Sequence, residues 1–215
     1  MFDTQRFLSS LAKSQDKRLL YYPSAGNRHG FVTDFNADVI VFSDFRPKSL
    51  RTRRSFWRQF RQGAQHEIRL IVATPIARVF QIDRRKWGVF LFMDNNEAVR
   101  LIHKSGLRIS TFIGVCDGCA EGGNYECVNE MPFFGKILDL MPETGMNYIT
   151  DHSPYVLDGW ERPRNVDNSF VLKNNGYKTS LMNDSVPGFR NRAYEFTIKK
   201  QYMMNEVKDP VPHPR

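Results

Sequence analysis

The chain has 215 residues, 41% of them hydrophobic, 13% aromatic and 25% charged. That is too apolar and aromatic for a disordered chain, and long enough for one domain to bury a sizeable core. The formal net charge of +8 is unevenly spread: residues 46–86 hold 12 Lys and Arg against two acids, while the remainder holds 19 basic and 21 acidic residues. No apolar run approaches the roughly 18–20 residues of a membrane-spanning helix, so an integral membrane protein is excluded. The N-terminus, MFDTQRFLSSLAKSQDK, lacks an apolar leader core. No secretory signal is therefore expected, and the expected location is the cytoplasm. Three cysteines, an odd and small number, argue against a secreted disulfide framework.

In chain order, Phe2 to Lys13 reads as a short amphipathic helix with Phe2, Phe7, Leu8 and Leu11 on its apolar side. Arg18 to Pro23 is an apolar, aromatic strand ending in Pro-Ser-Ala-Gly-Asn, strong turn chemistry. After a brief segment, His29 to Phe35, comes Ala37 to Phe42, a second strand ending at Ser43-Asp44. Its nearly continuous apolar run predicts burial on both faces, as in a parallel sheet covered by helices. A helix is expected from Ser49 to Gln62, with Ser49 as N-cap, Gly63 as stop and Leu50, Phe56, Trp57 and Phe60 apolar.

Three strand-like runs follow: Ile68–Ala73, Ala77–Ile82 and Trp87–Met93. Their short spacing predicts antiparallel hairpins rather than further strand–helix–strand units. Asp94 or Asn95 can cap a helix over Asn96–Lys104 that stops at Gly106. Arg108–Val115 reads as a strand, Cys116 to Asn129 as a Gly- and Cys-rich loop, Phe133–Met141 as a helix and Met146–Thr150 as a strand. Apolar runs recur at Ser169–Leu172 and Tyr194–Ile198. The expected fold is a single α/β domain over residues 1–204, a Rossmann-like three-layer mixed sheet with an antiparallel hairpin. Its first two strands are parallel, and residues 205–215 form a loose tail.

Four groups of residues could carry chemistry. The first is the turn Ser24, Ala25, Gly26 and Asn27 after the first strand, with Asp44 after the second. In an open α/β sheet ligands bind outside the carboxyl ends of the strands, near a switch point. Small residues there let a ligand approach the backbone, and a carboxylate can accept hydrogen bonds from a ribose. Over residues 18–44 this layout resembles the class I S-adenosylmethionine-dependent methyltransferases. The resemblance implies a nucleotide- or S-adenosylmethionine-type cofactor held by Ser24, Ala25, Gly26, Asn27 and Asp44, and a transferase activity. The other reading of the turn is a tight turn and nothing more.

The second is the cysteine cluster. Cys116 and Cys119 form a C-x₂-C pair and Cys127 lies eight residues on. A glycine in such a turn lets two thiolates face one metal ion, so zinc is a candidate, with His152 as the first choice of fourth ligand and Asp117, Asp151 and His103 as alternatives. Reduced thiols packed as small hydrophobes, or a redox pair, are the competing readings. The third is Glu121, Asn124 and Glu126 in a Gly-rich loop, with Asp151-His152 after a predicted strand. Glu121, Glu126, Asp151 and His152 are the candidate catalytic acids and bases. No Walker A loop, G-x-S-x-G elbow, H-E-x-x-H or G-x-G-x-x-G is present, so the familiar enzyme classes marked by them are not expected.

The fourth is the basic segment itself. Arg51, Arg53, Arg54, Arg58 and Arg61 interleave with Phe56, Trp57 and Phe60. Arginine binds phosphate bidentately, and exposed aromatics stack on unpaired bases, so DNA or RNA is a candidate partner. Against this, the aromatics are expected in the core. The leading expectation is a cofactor-binding transferase acting on a polyanionic substrate. The alternative is a non-enzymatic nucleic-acid-binding or accessory protein using residues 46–86.

Overall fold

The computed structural model describes residues 2–13, 17–23, 25, 30–44, 50–84, 86–115, 131–150, 172, 176–189 and 193–201, with backbone alone at 50–56 and 131–132. Four helices and nine strands are present among them. They run α1 (Thr4–Ala12), β1 (Leu19–Pro23), β2 (Val39–Ser43), α2 (Leu50–Gly63), β3 (Ile68–Ala73), β4 (Ala77–Ile82) and β5 (Lys86–Leu91). Then come α3 (Asn95–Ser105), β6 (Ile109–Gly114), α4 (Met131–Asp139), β7 (Met146–Thr150), β8 (Tyr177–Asn183) and β9 (Tyr194–Lys200). A 3₁₀ turn, Gly30–Asp34, lies between β1 and β2. The predicted tail from 205 lies outside the described residues, as does Ser49, the predicted cap of α2.

The strands form one nine-stranded sheet in the order β3-β4-β5-β2-β1-β6-β7-β9-β8. The run β5-β2-β1-β6-β7 is parallel throughout. Numbered by its own strands it is 3-2-1-4-5, the doubly wound order, with its switch point between β1 and β6. Antiparallel strands extend both ends, β4 and β3 beyond β5, and β9 and β8 beyond β7. The fold is Rossmann-like α/β with a mixed sheet, as expected.

Why these residues make this sheet is visible in the two central strands. Leu-Leu-Tyr-Tyr-Pro in β1 and Val-Ile-Val-Phe-Ser in β2 are buried at every position. Alternate side chains serve opposite faces. Tyr21 and Val41 pack with Leu8 and Leu11 of α1, Ile102 of α3 and Phe134 and Ile137 of α4. Tyr22 and Phe42 pack on the other side with Val32 of the 3₁₀ turn and Phe60 of α2. The result is three layers with a core on each side of the sheet.

The hairpins predicted for residues 68–93 form, but the third strand does more. Ile82 pairs with Lys86, so three residues make the turn, and Asp83 and Arg84 take positive φ values of 47° and 60° in it. After that turn β5 also inserts beside β2, in parallel, with Val39 opposite Trp87 and Ser43 opposite Leu91. The segment from β2 to β5 is therefore a crossover unit that contains a hairpin, which corrects the expectation of hairpins alone. Local spacing reports the turn but not the distant strand that β5 joins. β8 was not expected at all. It is the sheet edge, and its pattern of exposure leaves most of its side chains in solvent, so it offers no apolar periodicity to read.

At the amino end of the parallel strands, polar side chains tie the connections down. His66 bridges Asp34, at 3.0 Å from Nε2, and Asp83 through Nδ1. The Lys86 ammonium donates to the carbonyls of Thr33 and Phe35, both at 2.8 Å. Burial lowers the Lys86 ammonium pKa, with Asp34 and Asp83 pulling the other way. Arg18 donates to Asp38 from its backbone N at 2.9 Å and from Nε at 3.2 Å. Burial pushes the Asp38 carboxyl up, but the bonds and charge of Arg18 outweigh it and hold the group below its ordinary 3.8. Its stabilising contribution is therefore present above that value and is lost as pH falls through the lowered one. Arg18→Gln is expected to cost about 0.2–1 kcal/mol at neutral pH, as exposed ion pairs do. That difference should shrink as pH falls below 3.8 and through the lowered value, read by urea titrations across that range.

Candidate functional site

All five parallel strands end at one edge of the sheet, at Pro23, Ser43, Leu91, Gly114 and Thr150. In this order of strands that edge, beside the switch point, is where the polypeptide leaves a crevice for a ligand. The sequence places its candidates in the segments that leave this edge. Ser24 to Asn27 follow β1, Asp44 follows β2, the cysteine and Gly-rich segment follows β6, and Asp151-His152 follow β7.

Two of these candidates are described, and the structure brings them together. Asp44 is only 5% exposed, and its backbone N–H donates to the carbonyl of Leu91 at 3.0 Å. Ala25, fully buried, donates its N–H to the carbonyl of Ser43 at 3.2 Å. The first connection and the carboxylate after β2 are thus neighbours, joined through the backbone. Ser24, Gly26 and Asn27 lie outside the described residues. So do Glu121, Asn124, Glu126, Asp151 and His152, together with Cys116, Cys119, Cys127 and Asp117. Among the described residues no group of three His, Cys, Asp or Glu could hold a metal ion.

A polar network that sequence reading missed supports the same edge from below. The Tyr21 hydroxyl lies 2.9 Å from Ser43 Oγ, and Ser43 Oγ donates to Asn95 Oδ1 at 2.8 Å. The Tyr21 hydroxyl also lies 3.4 Å from the Asn95 carbonyl. All three residues are buried. They lock the ends of β1 and β2 to the first residue of α3, next to Asp44 in the chain. The one local signal was a serine closing an otherwise apolar strand, which alone does not name its partners. The helix α3 itself follows the predicted rules. Asp94 caps it by accepting from Asn96 N at 2.7 Å, and Gly106 ends it at φ 79°.

The basic segment divides. Phe60 is 1% exposed and sits among Phe42, Phe80 and Phe90, with Trp57 stacked on it at 5.7 Å. These two aromatics hold α2 to the sheet. Arg78 is also taken inside, 5.7 Å from the ring centres of both Trp57 and Phe92. Arg58, Arg61 and Arg69 are exposed. The side chains of Arg51, Arg53, Arg54 and Phe56 lie outside the described residues. Among the described residues no helix is long and apolar enough to cross a membrane.

No family model matches the sequence, and no curated protein matches it. Among solved structures, a ribosomal protein L11 methylase from Lactobacillus delbrueckii subsp. bulgaricus aligns at 9% identity and TM-score 0.45, over 92% of this chain and 79% of that one. A 30S ribosomal A1408 methyltransferase from an uncultured bacterium aligns at 8% identity and TM-score 0.45, over 94% and 96%. A precorrin 8W decarboxylase from Methanobacterium thermoautotrophicum aligns at 12% identity and TM-score 0.42, over 90% and 88%. At such scores these likenesses say nothing about what this chain binds.

Proposed function

We propose that the carboxyl edge of the sheet binds the adenosine part of S-adenosylmethionine or a related nucleotide, and that the protein is a transferase. The observation that carries this reading is Asp44, a nearly buried carboxylate at the end of the second parallel strand, one strand away from the switch point. A carboxylate in that place can accept hydrogen bonds from the paired hydroxyls of a ribose. Ala25 belongs to the same group, because its backbone N–H donates to the Ser43 carbonyl and so brings the connection after β1 beside the residue that precedes Asp44. When bound, S-adenosylmethionine would supply an electrophilic methyl group on a sulfonium. Glu121, Glu126, Asp151 and His152, which follow β6 and β7 in the chain, are the proposed acids and bases for the acceptor. Zinc at Cys116, Cys119, Cys127 and His152 has no support among the described residues.

The test is calorimetric titration of the full chain with S-adenosylhomocysteine, alongside thermal unfolding. Binding at one site per chain is expected. Ligand at 100 times its Kd should raise the melting temperature by about 5–10 °C. No heat and no shift with S-adenosylhomocysteine, adenosine or nucleoside phosphates would overturn the reading.

The acceptor in this reading is a polyanion, supported by the exposure of Arg58, Arg61 and Arg69 in a segment that holds 12 of the chain's 31 basic residues. Binding to single-stranded RNA should weaken with salt. Arg58→Glu with Arg61→Glu should flatten the log–log slope by about 0.7 per lost phosphate contact. An unchanged slope would remove these arginines from the interface.

A further inference from the structure

A second concavity lies between two helices on one face of the sheet. Helices α3 and α4 enclose a groove of about 300 Å³, at the lower end of the range for small-molecule sites. Its floor includes Val99 and Leu140, both buried. Its walls carry Arg100, His103 and Lys104 from α3 and Lys136 from α4, all exposed. Residues 96, 99, 100, 103 and 104 share one face of α3 by helical spacing, which is why that face meets α4 as a continuous basic wall.

Among the described residues Arg100, His103, Lys104 and Lys136 form no ion pair, not even with Asp139, the one carboxylate lining the groove. Lys136 Nζ instead donates to the neutral amide oxygen of Asn96 at 2.6 Å, which fixes an ammonium at the rim without cancelling its charge. General basicity does not explain the cluster either, because outside residues 46–86 acids outnumber bases by 21 to 19. Complementing the helix dipole accounts for His103 and Lys104 in the last turn of α3. It accounts equally for Lys136 in the last turn of α4, but not for Arg100, nor for the two helix ends facing one concavity.

We infer that the α3–α4 groove is a binding site for a small phosphate-bearing anion, separate from the carboxyl-edge crevice. Arg100 supplies a planar fork for paired phosphate oxygens and the two lysines supply point charges. Val99, Leu140 and the aliphatic stems of the basic side chains contact the rest of the ligand.

The experiment is an amide NMR titration of the full chain with inorganic pyrophosphate. Saturable shifts centred on Arg100, His103, Lys104 and Lys136 are expected. Arg100→Gln with Lys104→Gln should weaken binding about tenfold or more while leaving the melting temperature unchanged, because both side chains are exposed. Lys136→Gln alone should also weaken it, which covers the case in which the double variant fails to fold. Shifts that do not saturate, that centre on residues 46–86 or on the ends of β1 and β2, or that survive these substitutions would overturn the inference. S-adenosylhomocysteine binding, measured on the same variants, should be unaffected.

Discussion

Replacing Asp44 with asparagine should weaken binding of S-adenosylhomocysteine by about 10- to 150-fold, the range for losing hydrogen bonds to a charged group of about 1.5–3 kcal/mol. Asparagine keeps the shape and so keeps the packing around a side chain that is 5% exposed. It removes the charge and one acceptor, and turns an NH₂ group toward hydroxyls that need acceptors. The backbone bond from Asp44 to Leu91 is unaffected by the substitution. The expected result in calorimetry is a large change in Kd. Unfolding in the absence of ligand should move by less than the binding energy does. Unchanged affinity in a variant that still binds would place the ribose elsewhere and remove the residue on which the proposed function rests.

The largest effect on stability should come from Phe60→Ala, at about 3–5 kcal/mol. Phe60 meets Phe42 at 5.2 Å, Phe80 at 5.4 Å and Phe90 at 6.2 Å, each edge to face, the arrangement that adds to burial through ring electrostatics. It fastens α2 to β2, β4 and β5 together. It also stands where α2 meets the 3₁₀ turn. A methyl group on Gly30 would lie 2.1 Å from the Phe60 carbonyl and 2.6 Å from the Ala64 nitrogen, so the backbones touch there with no room to settle into a cavity. Truncation should therefore leave a void rather than a collapse. For a chain of this size the loss corresponds to a fall in melting temperature of about 6–20 °C, read by scanning calorimetry. A fall of only a degree or two would mean that α2 is not part of the cooperative core.

The sequence by itself determined the elements whose causes are local. The double-sided burial of β1 and β2 was written in unbroken apolar runs. The bounds of α3 were written in Asp94 and Gly106, and the β4–β5 reversal in the polar residues between two apolar strands. The position of Asp44 followed as well, because a carboxylate directly after a buried strand must lie at that strand's carboxyl end. Other features were decided only by tertiary structure, because they depend on which distant segments become neighbours. That β5 enters the sheet beside β2 is a pairing of residues about 48 positions apart, and loop closure over such distances leaves no mark in local propensity. The Tyr21–Ser43–Asn95 network joins three elements, none of which carries a motif. The packing of Trp57 and Phe60 against Phe80 follows the apolar side expected for α2, but the burial of Arg78 beside Trp57 and Phe92 has no local signal. The α3–α4 groove gathers Arg100 and Lys136 from segments separated by a strand. Charge in a sequence says how much there is, and only the folded chain says which charges face the same space.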